Sequence, residues 1–208
     1  MKTVLITDSQ TDLGLRLVNL CLADKYQVIS AFTDNLGSKA TTPLKKHGLV
    51  PIKWNRPSRL SAKNLIFKIK NSFSSLDAAF MLSFPPPRDH DFQSINPLYL
   101  EEFLDKHIKG TLFLIQELLN YFAKQGRGWL TLIYLKPPEL PPFLRLYQEA
   151  LLDLVKYLGK LQAFACLNIN AIKISEKEPI PNDSSQASQL LKIYQEKCNK
   201  SSGKVFNL

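Results

Sequence analysis

The chain has 208 residues, 27 basic and 18 acidic, giving a net charge of +9, and 45% of it is hydrophobic. That apolar share excludes a disordered chain, and the length is best used as one domain, 1–208, with one substantial core. No stretch reaches the roughly 20 apolar residues of a membrane helix, and a single lysine before Val4-Leu5-Ile6 does not make a signal peptide, so no membrane partner is expected.

In chain order, residues 2–7 form an apolar, β-branched run that predicts a buried strand. Residues 13–24 follow with Leu13, Leu17, Leu20 and Cys21 at helical spacing, and 27–32 read as the second strand. A basic segment, 39–47, precedes a third strand at 49–54. Leu65, Ile66 and Ile69 mark one face of a helix over 61–73, and 77–83 is an apolar strand closed by the rigid Pro85-Pro86-Pro87. A long helix over 98–124 carries Leu100, Phe103, Leu104, His107, Ile108, Leu112, Ile115 and Leu119 on a broad apolar face. Gly126 and Gly128 end it, 129–135 is a fifth strand, and a proline-rich piece leads into a second long helix at 143–165. A strand at 167–174, a polar loop at 176–185, a helix at 186–198 and a short strand at 205–206 complete the series. Such alternation predicts an α/β fold, a parallel sheet covered on both faces by right-handed crossovers.

The charge is uneven. Between 35 and 76 there is no acidic residue, and the nine basic ones are Lys39, Lys45, Lys46, Lys53, Arg56, Arg59, Lys63, Lys68 and Lys70. They account for the whole net charge, since the remainder carries 18 basic and 18 acidic residues. The 35–76 face is either a solvated edge or a surface for an anionic partner such as a phosphate, a nucleic acid or an acidic protein. Cys21, Cys166 and Cys198 are too few and too far apart for a disulfide framework or a Cys-x-x-Cys site. A reducing, cytoplasmic setting is expected, with no metal site.

Several landmarks resemble the short-chain dehydrogenase/reductase family. Ile169-Asn170-Ala171-Ile172 matches the family's Val-Asn-Ala-Ile strand, and His107-Ile108-Lys109-Gly110 sits where the family has Asn-x-x-Gly. Ser202-Gly203-Lys204-Val205 is similar to its final Thr-Gly-x-x. The resemblance covers almost the whole chain. It implies a Rossmann-like, three-layer, doubly wound parallel sheet of about seven strands. It also implies a remnant dinucleotide site at Thr7, Ser9, Leu13, Gly14, Phe32 and Thr33, and a homodimer or heterodimer built through helices 98–124 and 143–165.

The residues that do the family's chemistry match poorly. Its Thr-Gly-x-x-x-Gly-x-Gly turn is Thr7-Asp8-Ser9-Gln10-Thr11-Asp12-Leu13-Gly14 here. Asp8 and Asp12 thus stand where glycine lets the backbone approach a pyrophosphate, while Gly14 has the packing role. Neither the ribose-binding acid nor the phosphate-binding arginine appears at Phe32-Thr33, and the family's Asn-Asn-Ala-Gly is Met81-Leu82-Ser83-Phe84. The ungapped match puts Leu144 at the catalytic tyrosine, Gln148 at the lysine and Tyr134-Leu135 at the serine. No tyrosine in the chain has lysine four residues on. About thirty residues separate Ile172 from Gly203, so the family's substrate-covering segment is trimmed.

Asp12 is expected to cap the first helix, with Asp8 accepting similar bonds in the turn. A divalent cation bridging Asp8 and Asp12 to a phosphate is the alternative. Two like charges about 4 Å apart repel by roughly 4 kcal/mol at an effective dielectric near 20. That weakens a dinucleotide about a thousandfold, so no cofactor, or only a weakened NAD(P), is expected. His107, Tyr134 and Tyr147 are expected to pack rather than react. The expected function is binding or assembly by a catalytically degenerate member, with no catalytic residue. The alternatives are an NAD(P)-dependent oxidoreductase with displaced catalytic residues and a polyanion binder acting through the 35–76 face.

Overall fold

The computed structural model describes residues 2–33, 47–83, 95–136, 142–175, 185–198 and 201–208. Most of the basic segment 39–47, the triple proline 85–87, the proline-rich piece before residue 142 and most of the polar loop 176–185 lie outside them.

Seven strands form one parallel sheet: β1 Thr3–Ile6, β2 Gln27–Phe32, β3 Leu49–Lys53, β4 Ala78–Ser83, β5 Gly128–Lys136, β6 Leu167–Ser175 and β7 Val205–Asn207. Their order is β3-β2-β1-β4-β5-β6-β7, with Val4 opposite both Val28 and Ala78. The central strands β1 and β4 are buried along their whole length, as parallel strands covered on both faces must be. The helices are α1 Asp12–Ala23, α2 Arg59–Ser72, α3 Pro97–Phe103, α4 Gly110–Gln125, α5 Pro142–Leu158 and α6 Ser185–Glu196.

Two apolar layers sandwich the sheet. On one face α2, α4 and α5 pack through residues such as Leu65, Ile69, Leu114, Leu118, Leu151 and Val155. On the other, α1 and α6 pack through Leu17, Val18, Cys21, Leu190 and Tyr194. Each fully buried Leu or Val contributes about 1.5–3 kcal/mol, so Leu17→Asp would cost α1 its anchor.

Three sequence expectations need correction. The helix predicted over 98–124 is one axis broken by a π turn, Leu104–Lys109, between α3 and α4. The helix predicted over 143–165 ends at Leu158, and a separate 3₁₀ turn, Gln162–Phe164, follows. Gly159 follows the last residue of α5, and only glycine fits there because a Cβ would lie 2.2 Å from Gly203 N. The helix-capping residue of α1 is Thr11, not Asp12.

β7 is held to β6 through Asn170. Its amide nitrogen donates to the Cys198 and Ser201 carbonyls at 3.3 and 2.8 Å, and its oxygen accepts from Lys204 N at 3.0 Å. Gly203 N donates to the Ile169 carbonyl at 2.7 Å. Asn170 is fully buried, so these bonds satisfy a side chain that would otherwise be costly inside.

Candidate functional site

The strand order runs outward in opposite directions from β1 and β4. The carboxyl ends of these two strands therefore flank the topological switch point, where open α/β sheets bind ligands. Thr7 stitches them together: its N–H donates to the Phe80 carbonyl at 3.0 Å and its Oγ1 accepts from Leu82 N at 3.0 Å.

The turn after β1 closes on itself. Asp8 has a left-handed backbone, φ 47°, which Asp tolerates better than most residues. The Asp8 carbonyl accepts from Thr11 N at 3.0 Å and Thr11 Oγ1 at 2.8 Å, and Thr11 Oγ1 in turn accepts from Gly14 N at 3.1 Å. Ser9 N and Ser9 Oγ both donate to the Ala31 carbonyl, at 3.2 and 3.1 Å, and Ser30 Oγ donates to Ser9 Oγ at 2.6 Å. Gln10 Nε2 reaches Thr33 Oγ1 at 3.2 Å. The backbone N–H groups of Ser9, Thr11 and Gly14 are thus all occupied. A Cβ on Gly14 would lie 2.6 Å from the Asp8 carbonyl oxygen and 2.8 Å from Ser9 Cα, so glycine is required there by contact with the turn.

Arg56, in the segment between β3 and α2, reaches across the switch point. Its Nη2 ion-pairs with the Asp8 carboxylate and donates to the Leu82 carbonyl at 3.1 Å. Nη1 lies 3.5 Å from His107 Nδ1, and the guanidinium sits 5.7 Å from the Trp54 ring centroid. The two ion-paired side chains are only 10% and 12% exposed. Burial raises the Asp8 carboxyl above its ordinary range, against the pull of Arg56. Burial, with Arg56 and Lys106 nearby, lowers His107 to about 4, so it is neutral at pH 7.

The π turn brings His107 beside this pair and frees backbone acceptors. Tyr147 OH donates to the His107 carbonyl at 3.0 Å and also lies 2.9 Å from Ser83 Oγ and 3.3 Å from Thr111 Oγ1. The ring of Phe103 packs edge-on against Tyr147, 5.4 Å between centroids. Burial raises the Tyr147 phenol above its ordinary value, although Ser83, Thr111 and Arg56 oppose it. Tyr134 is also fully buried, and its hydroxyl has no hydrogen-bond partner among the described residues.

The sequence matches no protein-family model and no curated protein. Solved structures do match. A 3-ketoacyl-(acyl-carrier-protein) reductase from Brucella melitensis, complexed with NADH, is similar with a TM-score of 0.83 and 10% identity, over 100% of this chain and 96% of that one. The chain has the Rossmann-like α/β fold of that reductase. A protein from Bacillus thuringiensis named as a 3-oxoacyl-reductase is similar with a TM-score of 0.80 and 12% identity, again over 100% and 96% of the two chains.

In this fold the sequence-predicted residues come together only in part. Thr7, Ser9 and Gly14 meet in the turn, and Thr33 joins them through Gln10. The Phe32 carbonyl accepts from Trp54 N at 3.0 Å, a sheet bond at the β3 edge. Leu13 turns into the α1–α6 core. Asp12 is exposed at the first turn of α1, and the Asp8 carboxylate, expected from the sequence to accept bonds in the turn, is ion-paired with Arg56. Sequence reasoning missed Arg56, Ser83, Thr111 and Thr11 as members of this cluster. Arg56 had stood out only as one of nine cations in an acid-free stretch, and its partner is 48 residues away.

Proposed function

We propose that this chain is a catalytically degenerate relative of the short-chain reductases that acts through binding or assembly. The observation that carries the reading is the Arg56 guanidinium lodged between Asp8 and the Leu82 carbonyl. It fills the crevice in which such a fold would hold a pyrophosphate. The N–H donors of Ser9, Thr11 and Gly14 are spent on the protein's own oxygens, so these three are not aimed at an anion. These residues do not fit a dinucleotide. Tyr147 is a poor acid/base as well: it is buried, has no lysine partner among the described residues and has a raised pKa.

Titrating NADH and NADPH fluorescence with the protein tests this. No saturable change is expected, and micromolar binding of either cofactor overturns the reading. The second reading, an NAD(P)-dependent oxidoreductase with displaced residues, is favoured by the NADH complex of the Brucella melitensis reductase, which this chain matches over its whole length. The same titration decides between them.

Assembly has a candidate surface. Leu112 on α4 and Leu146 and Tyr157 on α5 are exposed, the last two by 71% and 62%. A homodimer or a heterodimer with an active relative through α4 and α5 would cover them. A stable interface needs roughly 800 Å² per partner. Light scattering after size exclusion is expected to give a dimer that Leu146→Glu dissociates, and a wild-type monomer that pairs with no active relative ends this part. A reducing, cytoplasmic setting belongs to the reading, in keeping with three free cysteines.

A further inference from the structure

The outward face of α2 combines exposed apolar side chains with flanking cations. Ala62, Leu65, Ile66 and Ile69 are buried against the sheet and α4. The opposite pole of the helix is Leu60, Asn64, Phe67 and Asn71, spaced as one face of a 3.6-residue turn. Leu60 and Phe67 are 67% and 62% exposed, two turns or about 10 Å apart along the axis. Arg59, Lys63 and Lys70 flank this ridge on one side and Lys68 on the other, with no acidic residue anywhere in the helix. Lys70 leans over the Tyr121 ring, 6.0 Å from its centroid. Arg59, Lys63 and Lys68 have no acidic partner among the described residues.

We propose that this face of α2 docks on an anionic lipid surface, with Leu60 and Phe67 entering the headgroup region and the flanking cations at the level of the lipid phosphates. The order of groups from the core outward is the argument. The apolar tips are foremost and the cations stand to the sides, on long stems that bring their heads back to the phosphates. A nucleic-acid backbone calls for cations foremost and would leave Leu60 facing phosphate oxygens. A single phenyl ring beside a leucine is no stacking platform. An acidic peptide helix is usually received by a groove, and this face is convex. Attachment would be in the interface plane: among the described residues no helix is long and apolar enough to cross a membrane. The sequence-based expectation of no membrane partner concerned spanning segments and is revised on this point. The inference stands independently of the cofactor question and narrows the anionic partner of the 35–76 face to one class.

Cosedimentation of the full chain with vesicles provides the test. Binding is expected to phosphatidylcholine mixed with phosphatidylglycerol and not to phosphatidylcholine alone, weakening as salt is added. Lys63→Glu with Lys68→Glu should weaken it by more than about twentyfold, from roughly fivefold per charge removed. Leu60→Gln with Phe67→Gln should weaken it about tenfold with the helix content unchanged, because both side chains are exposed. Phe67→Trp should tighten it, since tryptophan favours the interface. The proposal is overturned by absent binding to the mixed vesicles, by indifference to the Leu60 and Phe67 changes, or by a duplex oligonucleotide that displaces the protein from the vesicles at equal phosphate concentration.

Discussion

Arg56 and Asp8, 48 residues apart in the chain, form an ion pair at the carboxyl ends of β1 and β4, where Arg56 also donates to the Leu82 carbonyl. A carboxylate in the turn and a cation from beyond β3 have become each other's ligand. Removing either partner alone leaves a buried charge. Arg56→Leu is therefore expected to cost about 3 kcal/mol in urea unfolding. The double change Asp8→Gly with Arg56→Leu should return to within about 1 kcal/mol of wild type, because the desolvation cost of both charges disappears. Asp8→Ala should be worse than Asp8→Gly by about 1 kcal/mol, since φ is positive at this residue. Additive single and double changes would contradict the pairing.

Acid should weaken the fold through His107. Its folded pKa of about 4 lies below the ordinary 6.5. As pH falls through 6.5 the unfolded chain takes up a proton that the folded chain refuses until about 4. The contribution is complete above 6.5 and lost across that window, up to about 3 kcal/mol. Asp8 acts with the opposite sign: its raised pKa lets the folded state take the proton first, blunting the loss. His107→Asn should flatten the pH dependence of the urea midpoint between pH 4 and 6.5. A variant with the wild-type slope would assign the effect elsewhere.

Two tyrosines should respond oppositely to the same deletion. Tyr147→Phe strips a partner from Ser83, Thr111 and the His107 carbonyl, and is expected to destabilise by about 1–3 kcal/mol. Tyr134→Phe removes a buried hydroxyl that bonds to nothing among the described residues, and should be neutral or stabilising by about 1 kcal/mol. Thermal melts of the two variants check this directly, and equal losses would refute the hydrogen-bond assignment.

Glycine replacement separates contact from conformation. Gly14→Ala forces a methyl to 2.6 Å from the Asp8 carbonyl oxygen and 2.8 Å from Ser9 Cα, both backbone atoms that cannot swing away. A loss of about 2 kcal/mol or more is expected. At Gly126 nothing lies within 4 Å, but φ is +77°, so Gly126→Ala should lose only about 1 kcal/mol, the backbone term. The denaturation midpoints of the pair provide the comparison.

Strands and helices were legible because burial on both faces leaves unbroken apolar runs such as 78–83, and because α1 and α2 keep a 3.6-residue stripe. The break at Leu104–Lys109 was not, because its surroundings are tertiary: Gly110 is pressed on the Arg56 carbonyl, and Tyr147 takes the His107 carbonyl. Thr11 and Asp12 are both good capping residues one position apart. What selects Thr11 is a hydroxyl that reaches Gly14 N while also donating to Asp8. The carboxylate of Asp8 in the turn after β1 was legible in the sequence. Its pairing with Arg56 was not, because an ion pair spanning 48 residues leaves no mark in local composition.

Asn170 and the paired glycines at 159 and 203 tie β7 to the rest of the sheet, which sets an order of events during synthesis. When β6 has left the ribosome, the residues that cover its outer edge are still to be made. Until they arrive, β6 is an apolar strand with a free row of amides and carbonyls, open to pairing with another nascent chain. A deletion of residues 201–208 would make that interval permanent, and its product should be recovered as aggregates rather than as a shortened, folded protein.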